Sequence, residues 1–118
     1  MAESILSEKS LEFAAKTVKF CVRLNQATKE GVITKQLIRS STSVGANINE
    51  ANYGASKADF ISKLQIAMKE AAESEYWLKL LYKAEYVAEK DVSSLIELCK
   101  ELERMLIASL KTAKSAKD

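Results

Sequence analysis

Apolar residues recur along this chain at steps of three and four positions, the spacing that places them on one face of an α-helix. The clearest row consists of Phe60, Leu64, Ala67, Ala71, Ser74, Leu78 and Leu81. Alternating steps of four and three are typical of antiparallel helices that pack at shallow angles. No segment shows the two-residue alternation of a β-strand, so the pattern predicts an all-α protein.

Few residues interrupt these helical patterns, because the chain contains no proline and only three glycines. Gly31, Gly54 and the polar stretch 89–91 divide it into four segments. The predicted helices are about 7–26, 34–53, 57–87 and 91–114. Four long helices with short connections form an antiparallel up-down-up-down four-helix bundle. The 118 residues suffice for one such domain, 1–118, with short flexible ends at 1–6 and 115–118.

The first and third helices carry more apolar positions than one core requires. In the first helix, the row that we assign to the core is Leu11, Ala14, Ala15, Val18, Cys21 and Val22. At 100° per residue, each of the two helices has a second apolar row turned away from the first. Exposed apolar patches usually mark interaction sites, which predicts a homo-oligomer, with a thick monomer core as the alternative. The predicted interface residues are Phe13, Phe20, Leu24, Ile66, Trp77 and Leu80.

The composition narrows the classes of function. With 47% hydrophobic and 29% charged residues, the chain is typical of a folded protein, and its net charge is +2. A chain so close to neutral binds nucleic acid only through a local basic patch. No apolar run is long enough to span a bilayer and no signal sequence is recognisable, which predicts a cytoplasmic protein with no membrane partner.

The residues that most often carry catalysis are scarce in this chain. Histidine, a common general base and metal ligand, is absent. The two cysteines, Cys21 and Cys99, have apolar neighbours and are expected to be buried free thiols. We therefore predict that the protein is not an enzyme and has no catalytic, cofactor or metal site.

The stretch RSSTSVGANINEANYGASK, residues 39–57, raises the question of a phosphate-binding loop. Such a loop needs glycines at fixed offsets, followed by a lysine and a hydroxyl residue. Here Gly45 and Gly54 are too far apart, and no hydroxyl residue follows Lys57. The stretch instead predicts a helix whose small residues permit close packing. Gly54 fits the left-handed position past its end, and Ser56 fits the cap of the next helix.

Polar residues follow one flank of the second helix and face glutamates of the third. A partly buried arginine needs partners, so Arg39 beside these carboxylates predicts an ion-pair network that fixes the register of the helices. Paired carboxylates that act as general acid and base are the alternative. The predicted network contains Gln36, Arg39, Asn47, Glu50, Glu70, Glu73 and Glu75.

A set of cationic residues offers a second candidate site, for nucleic acid. These residues are Lys16, Lys19 and Arg23 on the first helix, with Lys35 and Arg39 on the second. Such residues contact phosphates in nucleic-acid complexes, while a solvated charged face is the ordinary explanation of such a row. In a symmetric ring each copy would repeat the row, and weak patches would add up to a strong field.

Motifs of the second and third helices resemble a known family. They are Gln36…Arg39-Ser40, Ser43-Val44-Gly45-Ala46-Asn47-Ile48-Asn49-Glu50-Ala51, Ser56-Lys57-Ala58-Asp59-Phe60 and Leu64…Ala67, with Glu73 and Glu75 downstream. They are similar to the small bacterial four-helix-bundle proteins first noticed as reading frames within intervening sequences of 23S ribosomal RNA genes. The match covers the chain from Leu11 to about Leu110.

The chain departs from the family pattern at three positions. Gly45 stands where the family has proline, Ala51 where it has glycine, and Ser40 where it has a second arginine. The resemblance implies a homo-oligomeric bundle, a pentameric ring, without known catalysis. The accessory proteins of diversity-generating retroelements, which are related in fold, use a basic surface to engage nucleic acid and a reverse transcriptase. That relation implies a nucleic-acid-associated role.

Two functions are consistent with these observations. The first is a non-enzymatic oligomeric bundle that binds structured RNA, or a nucleic-acid–protein complex, through the repeated basic residues. The second is a protein–protein interaction scaffold without a nucleic-acid role, whose charges keep it soluble. RNA or DNA and a partner protein are therefore both candidate partners.

Overall fold

The computed structural model describes residues 2–116, which form four helices. Helix α1 spans Ala2–Thr28, α2 Val32–Asn52, α3 Lys57–Lys83 and α4 Glu89–Ser115. Each helix packs against the next one in the chain, and α1 also contacts α4, so the four helices surround one core. The molecule measures 51 × 20 × 20 Å. The predicted all-α four-helix bundle is confirmed.

Helix α1 begins earlier than we predicted, at Ala2 instead of about residue 7. The early start allows Leu6 to join the buried row of the helix. Helical residues thus occupy most of the amino-terminal end that we predicted to be flexible, and α4 reaches into the carboxy-terminal one. Met1 and residues 117–118 lie outside the described part of the chain, and the flexibility of both ends stays a prediction.

Helix α3 ends at Lys83, before the predicted end at residue 87, in a Schellman motif. Glu85 takes a left-handed conformation, with φ of 68°. The amides of Glu85 and Tyr86 donate to the carbonyl oxygens of Tyr82 and Leu81, each at 3.0 Å. Glycine is the usual residue at this position, so a glutamate there conceals the helix end in the sequence.

Gly45 and Gly54 both serve close packing. A Cβ atom on Gly45 would lie 3.2 Å from Ser10 Oγ, so the predicted close approach to a neighbouring helix is confirmed. Gly54 follows the end of α2, but its φ is not positive, and the predicted left-handed conformation is wrong. A Cβ atom there would lie 3.1 Å from the Ala51 carbonyl oxygen and from Asp59 Oδ2. A larger residue at position 54 would thus crowd the end of α2 and the start of α3.

Helix α1 buries the apolar row that we predicted to face outward. Phe13 and Leu24, assigned to an oligomer interface, lie in the core, and Phe20 packs against it. Conversely, Leu11 and Val22, assigned to the core, are 72% and 48% exposed. The aromatic ring of Phe13 removes more apolar surface from water than Leu11 could, which favours this rotation of the helix. The buried row consists of Leu6, Ser10, Phe13, Thr17, Cys21 and Leu24.

The core row predicted for α3 is confirmed, and α2 and α4 bury similar rows. In α3, the row is buried from Leu64 to Leu81, and Phe60 packs against the core. In α2, the row from Leu37 to Ala51 is buried. Helix α4 buries Val92, Leu95, Cys99, Leu102 and Leu106.

One buried polar group in α1 has an expected effect on stability. The hydroxyl of Thr17 is fully buried and has no hydrogen-bond partner among the described residues, which is unfavourable. Valine has nearly the same shape without the hydroxyl, so Thr17→Val is expected to raise the free energy of unfolding by about 1 kcal/mol. Urea denaturation measures the difference. Thr17→Ala, which leaves a small void, serves as the control, and a valine variant less stable than the parent would contradict the prediction.

Candidate functional site

The polar contacts between α2 and α3 centre on the guanidinium of Arg39. Its Nη1 lies 2.7 Å from Glu70 Oε2, and its Nη2 binds Glu73 Oε2. Its Nε donates to Gln36 Oε1 at 3.4 Å. The indole N–H of Trp77 donates to the same Glu73 oxygen at 3.1 Å. We call these five residues the Arg39 network.

The Arg39 network is solvated at the arginine and more buried at the glutamates. The side chain of Arg39 is 47% exposed, whereas those of Glu70 and Glu73 are 13% and 31% exposed. A carboxylate that has lost much of its water needs a partner, and Arg39 supplies one to both. The network therefore ties the outer edge of α2 to that of α3.

The electrostatics of the network favour a structural role over acid–base chemistry. The hydrogen bond from Trp77 lowers the pKa of the Glu73 carboxyl, and Arg39 lowers it further, against the opposing effect of burial. The hydrogen bonds to Glu70 and Glu73 raise the pKa of Arg39 in turn. A carboxylate of lowered pKa that is already hydrogen-bonded is a poor general base.

A buried hydroxyl pair joins the same two helices in the core. Ser40 Oγ lies 2.8 Å from Ser74 Oγ, and both residues are fully buried. Ser74 Oγ also contacts the Glu70 carbonyl oxygen at 2.9 Å and Ser40 Oγ that of Leu37 at 3.3 Å, so either hydroxyl can be the donor within the pair. Since both side chains are small and satisfied, α2 and α3 approach closely without an unpaired polar group between them.

Three residues of the predicted network lie elsewhere. Asn47 donates to the Ser43 carbonyl oxygen of its own helix at 2.8 Å. Glu50 lies 3.6 Å from Lys63 and does not contact Arg39. Glu75 faces α4, on the other side of α3 from Arg39. Glu73 and Glu75 lie on different sides of α3, so their closeness along the chain wrongly placed both in one network.

The five residues predicted to bind nucleic acid lie along three different sides of the bundle. Lys16 lies 2.8 Å from Glu12 and lines a cleft between α1 and α4. Lys35 lines another cleft between α1 and α2, and Arg39 faces α3. Lys19 and Arg23 are exposed on α1. A single copy of the chain does not bring these five cations together.

The predicted interface residues of α3 are only partly accessible. Ile66 is exposed, while Trp77 and Leu80 are half-buried. The indole ring of Trp77 packs edge-on against Tyr76, with 5.2 Å between ring centroids. Trp77 therefore donates a hydrogen bond within the Arg39 network and also forms part of the surface.

A second carboxyl pair, which we did not predict, joins α3 and α4. Burial and the neighbouring Glu75 raise the pKa of Glu103 to about 7. The hydrogen bond from Glu103 lowers the pKa of Glu75, which also lies 2.5 Å from Lys79 Nζ. Cys99 Sγ contacts Glu103 Oε2 at 3.6 Å. A glutamate and a lysine four residues apart are typical of an ion pair, but the contact of Glu75 with Glu103 depends on how α3 packs against α4.

Glu30, whose side chain caps the start of α2, was also not predicted from the sequence. Glu30 accepts hydrogen bonds from the amides of Val32 and Ile33 at 3.0 Å and from that of Thr34 at 2.9 Å. Burial alone would raise the pKa of Glu30, but these three donors lower it. Glu30 thus performs the capping role that Gly31 cannot, because glycine has no side-chain oxygen.

The two cysteines are buried free thiols, as predicted. Burial raises the pKa of Cys21 to about 12 and also raises that of Cys99. Both thiols are therefore protonated at neutral pH. Within residues 2–116, no three histidine, cysteine, aspartate or glutamate side chains are grouped to hold a metal ion.

Fold and site together define a four-helix bundle in which an arginine–glutamate network joins α2 to α3. The family model of the 23S rRNA-intervening sequence proteins matches residues 2–108, and the chain belongs to that family. The chain is also similar to a crystal structure of a protein of unknown function from the S23 ribosomal protein family of Bacteroides thetaiotaomicron. The two share 45% sequence identity at a TM-score of 0.92, over 94% of this chain and 99% of that one. No curated protein matches the sequence.

The family resemblance inferred from the motifs is thereby confirmed. None of the helices described is both long enough and apolar enough to cross a lipid bilayer.

The raised pKa of Glu103 predicts a dependence of stability on pH. The pKa of Glu103 is raised in the folded protein, from 4.5 to about 7. Its contribution to stability is therefore fully present below about pH 4.5 and is lost as the pH rises through about 7. Urea denaturation between pH 5 and pH 8 should show the free energy of unfolding falling with pH.

Glu103→Gln keeps a hydrogen-bond donor beside Glu75 but does not ionise, so this variant should flatten the pH dependence. The assignment is favoured by the absence of histidine, which usually dominates this pH range. Glu97→Gln, at a more exposed position of the same helix, is the matched control. If the free energy of unfolding changed equally with pH in the parent and in Glu103→Gln, the raised pKa of Glu103 would be contradicted.

Proposed function

We propose that this protein is a non-enzymatic, self-associating bundle that acts as a protein–protein interaction scaffold. The observation that supports this most strongly is a second row on α1 that points away from the core. Its residues, which we call the outer row, are Leu11, Ala15, Val18 and Val22. Steps of four, three and four are typical of a helix that packs against another helix. Leu11 and Val22 are nevertheless exposed in a single copy.

The surface beside the outer row suits a second helix. Leu11 borders a shallow groove between α1 and α2. Small residues of both helices line it, among them Ala14, Gly45 and Ala46. Val22 borders a similar groove together with Ile38. Small residues allow close approach, and the leucine and valine supply apolar area, so a second copy of the chain is the occupant that we propose. The pentameric ring is the stoichiometry that the family resemblance implies.

The proposal of a non-enzymatic role rests on the chemistry of the available groups. The best nucleophiles in the chain, Cys21 and Cys99, are buried and protonated at neutral pH. Glu73, a glutamate of the Arg39 network, is hydrogen-bonded to Trp77 and Arg39. Neither arrangement resembles an activated nucleophile beside a general base.

RNA is the second candidate partner. The name of the family refers to intervening sequences of 23S rRNA. Lys19 and Arg23 are exposed, whereas Lys16 and Arg39 already have carboxylate partners. A basic surface built from the predicted residues would need neighbouring copies to complete it, so RNA binding of this kind depends on assembly. A cytoplasmic location is consistent with both roles.

Charged residues in the outer row are expected to disrupt the assembly. In Leu11→Glu/Val22→Glu, self-association would bury two carboxylates, which is strongly unfavourable. Light scattering should then show the mass fall from a multiple of 13.1 kDa to that of one chain. Far-ultraviolet circular dichroism should be unchanged, since both positions are exposed in the single copy.

Ile107→Glu is the matched control, because Ile107 is an exposed aliphatic residue of α4 outside the outer row. This variant should keep the mass of the parent. A parent protein that is monomeric at every concentration, or an outer-row variant that still assembles, would contradict the proposal.

A further inference from the structure

A cleft that carries several lysines lies between the end of α3 and the first turns of α4. Its volume is about 560 Å³, within the range of sites that bind small molecules. Helix α3 contributes Lys79 and Lys83, and α4 contributes Lys90 and Lys100. Apolar side chains line the same space: Tyr82, Val92 and Ile96. We call it the lysine cleft.

Two of these four lysines lack a carboxylate partner. Lys79 lies 2.5 Å from Glu75 and the charge of Lys100 also acts on Glu75, but Lys83 and Lys90 form no ion pair with any residue that the structure describes. Lys9 has a carboxylate partner, a glutamate of α4 at 2.7 Å, whereas the lysines of the cleft gather around one concave space. The charge that gathers at the lysine cleft is therefore available to an anion.

The remaining groups of the cleft indicate what kind of anion fits. Lys83 Nζ lies 5.8 Å from the centre of the half-buried Tyr82 ring, so a cation and a flat apolar surface adjoin. Tyr82 and Ile96 offer that surface to a ring of a ligand. Glu89 and Glu97 also line the cleft, and carboxylates accept hydrogen bonds from ribose hydroxyls.

We propose that the lysine cleft binds a nucleotide, either free or as part of single-stranded RNA. The ammonium groups of Lys83, Lys90 and Lys100 contact phosphate oxygens, the base packs on Tyr82, and a glutamate accepts from the ribose. Lysine suits this role because it presents a compact charge to phosphate. An anion without a ring would leave the apolar side of the cleft unused.

Two titrations distinguish the two sources of the nucleotide. Isothermal titration calorimetry measures ATP binding, and fluorescence anisotropy measures a short, labelled single-stranded RNA, both at low salt. In Lys83→Gln/Lys90→Gln/Lys100→Gln, the dissociation constant is expected to rise about tenfold or more. For RNA, the slope of log affinity against log salt should also become shallower by about two, because each phosphate that a lysine neutralises contributes roughly 0.7 to it.

The matched control removes the same charge elsewhere on α3 and α4. Lys69→Gln/Lys111→Gln/Lys114→Gln should bind ATP and RNA like the parent, because these exposed residues lie outside the lysine cleft. Equal losses of affinity in the two triple variants, or no binding of either probe by the parent at low salt, would overturn the proposal.

Tyr82→Leu tests the packing of the base on the aromatic ring. Removal of the ring should weaken binding about tenfold. Thermal unfolding confirms that the variant folds, and an unchanged affinity in a folded variant would refute the role of Tyr82. The inference does not depend on self-association, since the lysine variant should keep the oligomeric mass of the parent.

Discussion

The close packing of α2 against α3 is the constraint on which the rest of the structure depends. In its inner layer, the hydroxyl pair of Ser40 and Ser74 is satisfied without separating the helices. Its outer layer is the Arg39 network, which needs the same register to bring Arg39 onto Glu70. Once that register is set, short connections place α1 against α2 and α4 against α3.

The same constraint decides which charges and apolar groups are available for binding. Arg39 is used between helices, so it does not add to a basic surface in the way that its position on α2 suggested. Phe13 and Leu24 are buried in the core, so Leu11 and Val22 of the same helix are exposed to solvent. Among the groups left over are an apolar row on α1 and, between α3 and α4, Lys83 and Lys90. These are the features on which we base self-association and nucleotide binding.

The sequence predicted the fold well and the site in part, for physical reasons. Regular steps of four and three gave the four helices and the α3 row, and the pairing requirement of Arg39 led to Glu70 and Glu73. In α1, two apolar rows compete, and only packing against the other helices decides that Phe13 is buried. The end of α3 was missed because Glu85 takes a conformation typical of glycine. The proton of Glu103 depends on contact with another helix and has no signal in local spacing.

The central claim is that Arg39 holds the bundle in register, and a double-mutant cycle between Arg39 and Glu70 tests it most directly. Urea denaturation gives the free energies of unfolding of the parent, Arg39→Gln, Glu70→Gln and the double variant. The partly buried position of Glu70 and its 2.7 Å contact with Arg39 predict a coupling free energy of at least about 0.5 kcal/mol. Each single variant should be less stable than the parent. Single variants as stable as the parent, with a coupling free energy of zero, would contradict the account.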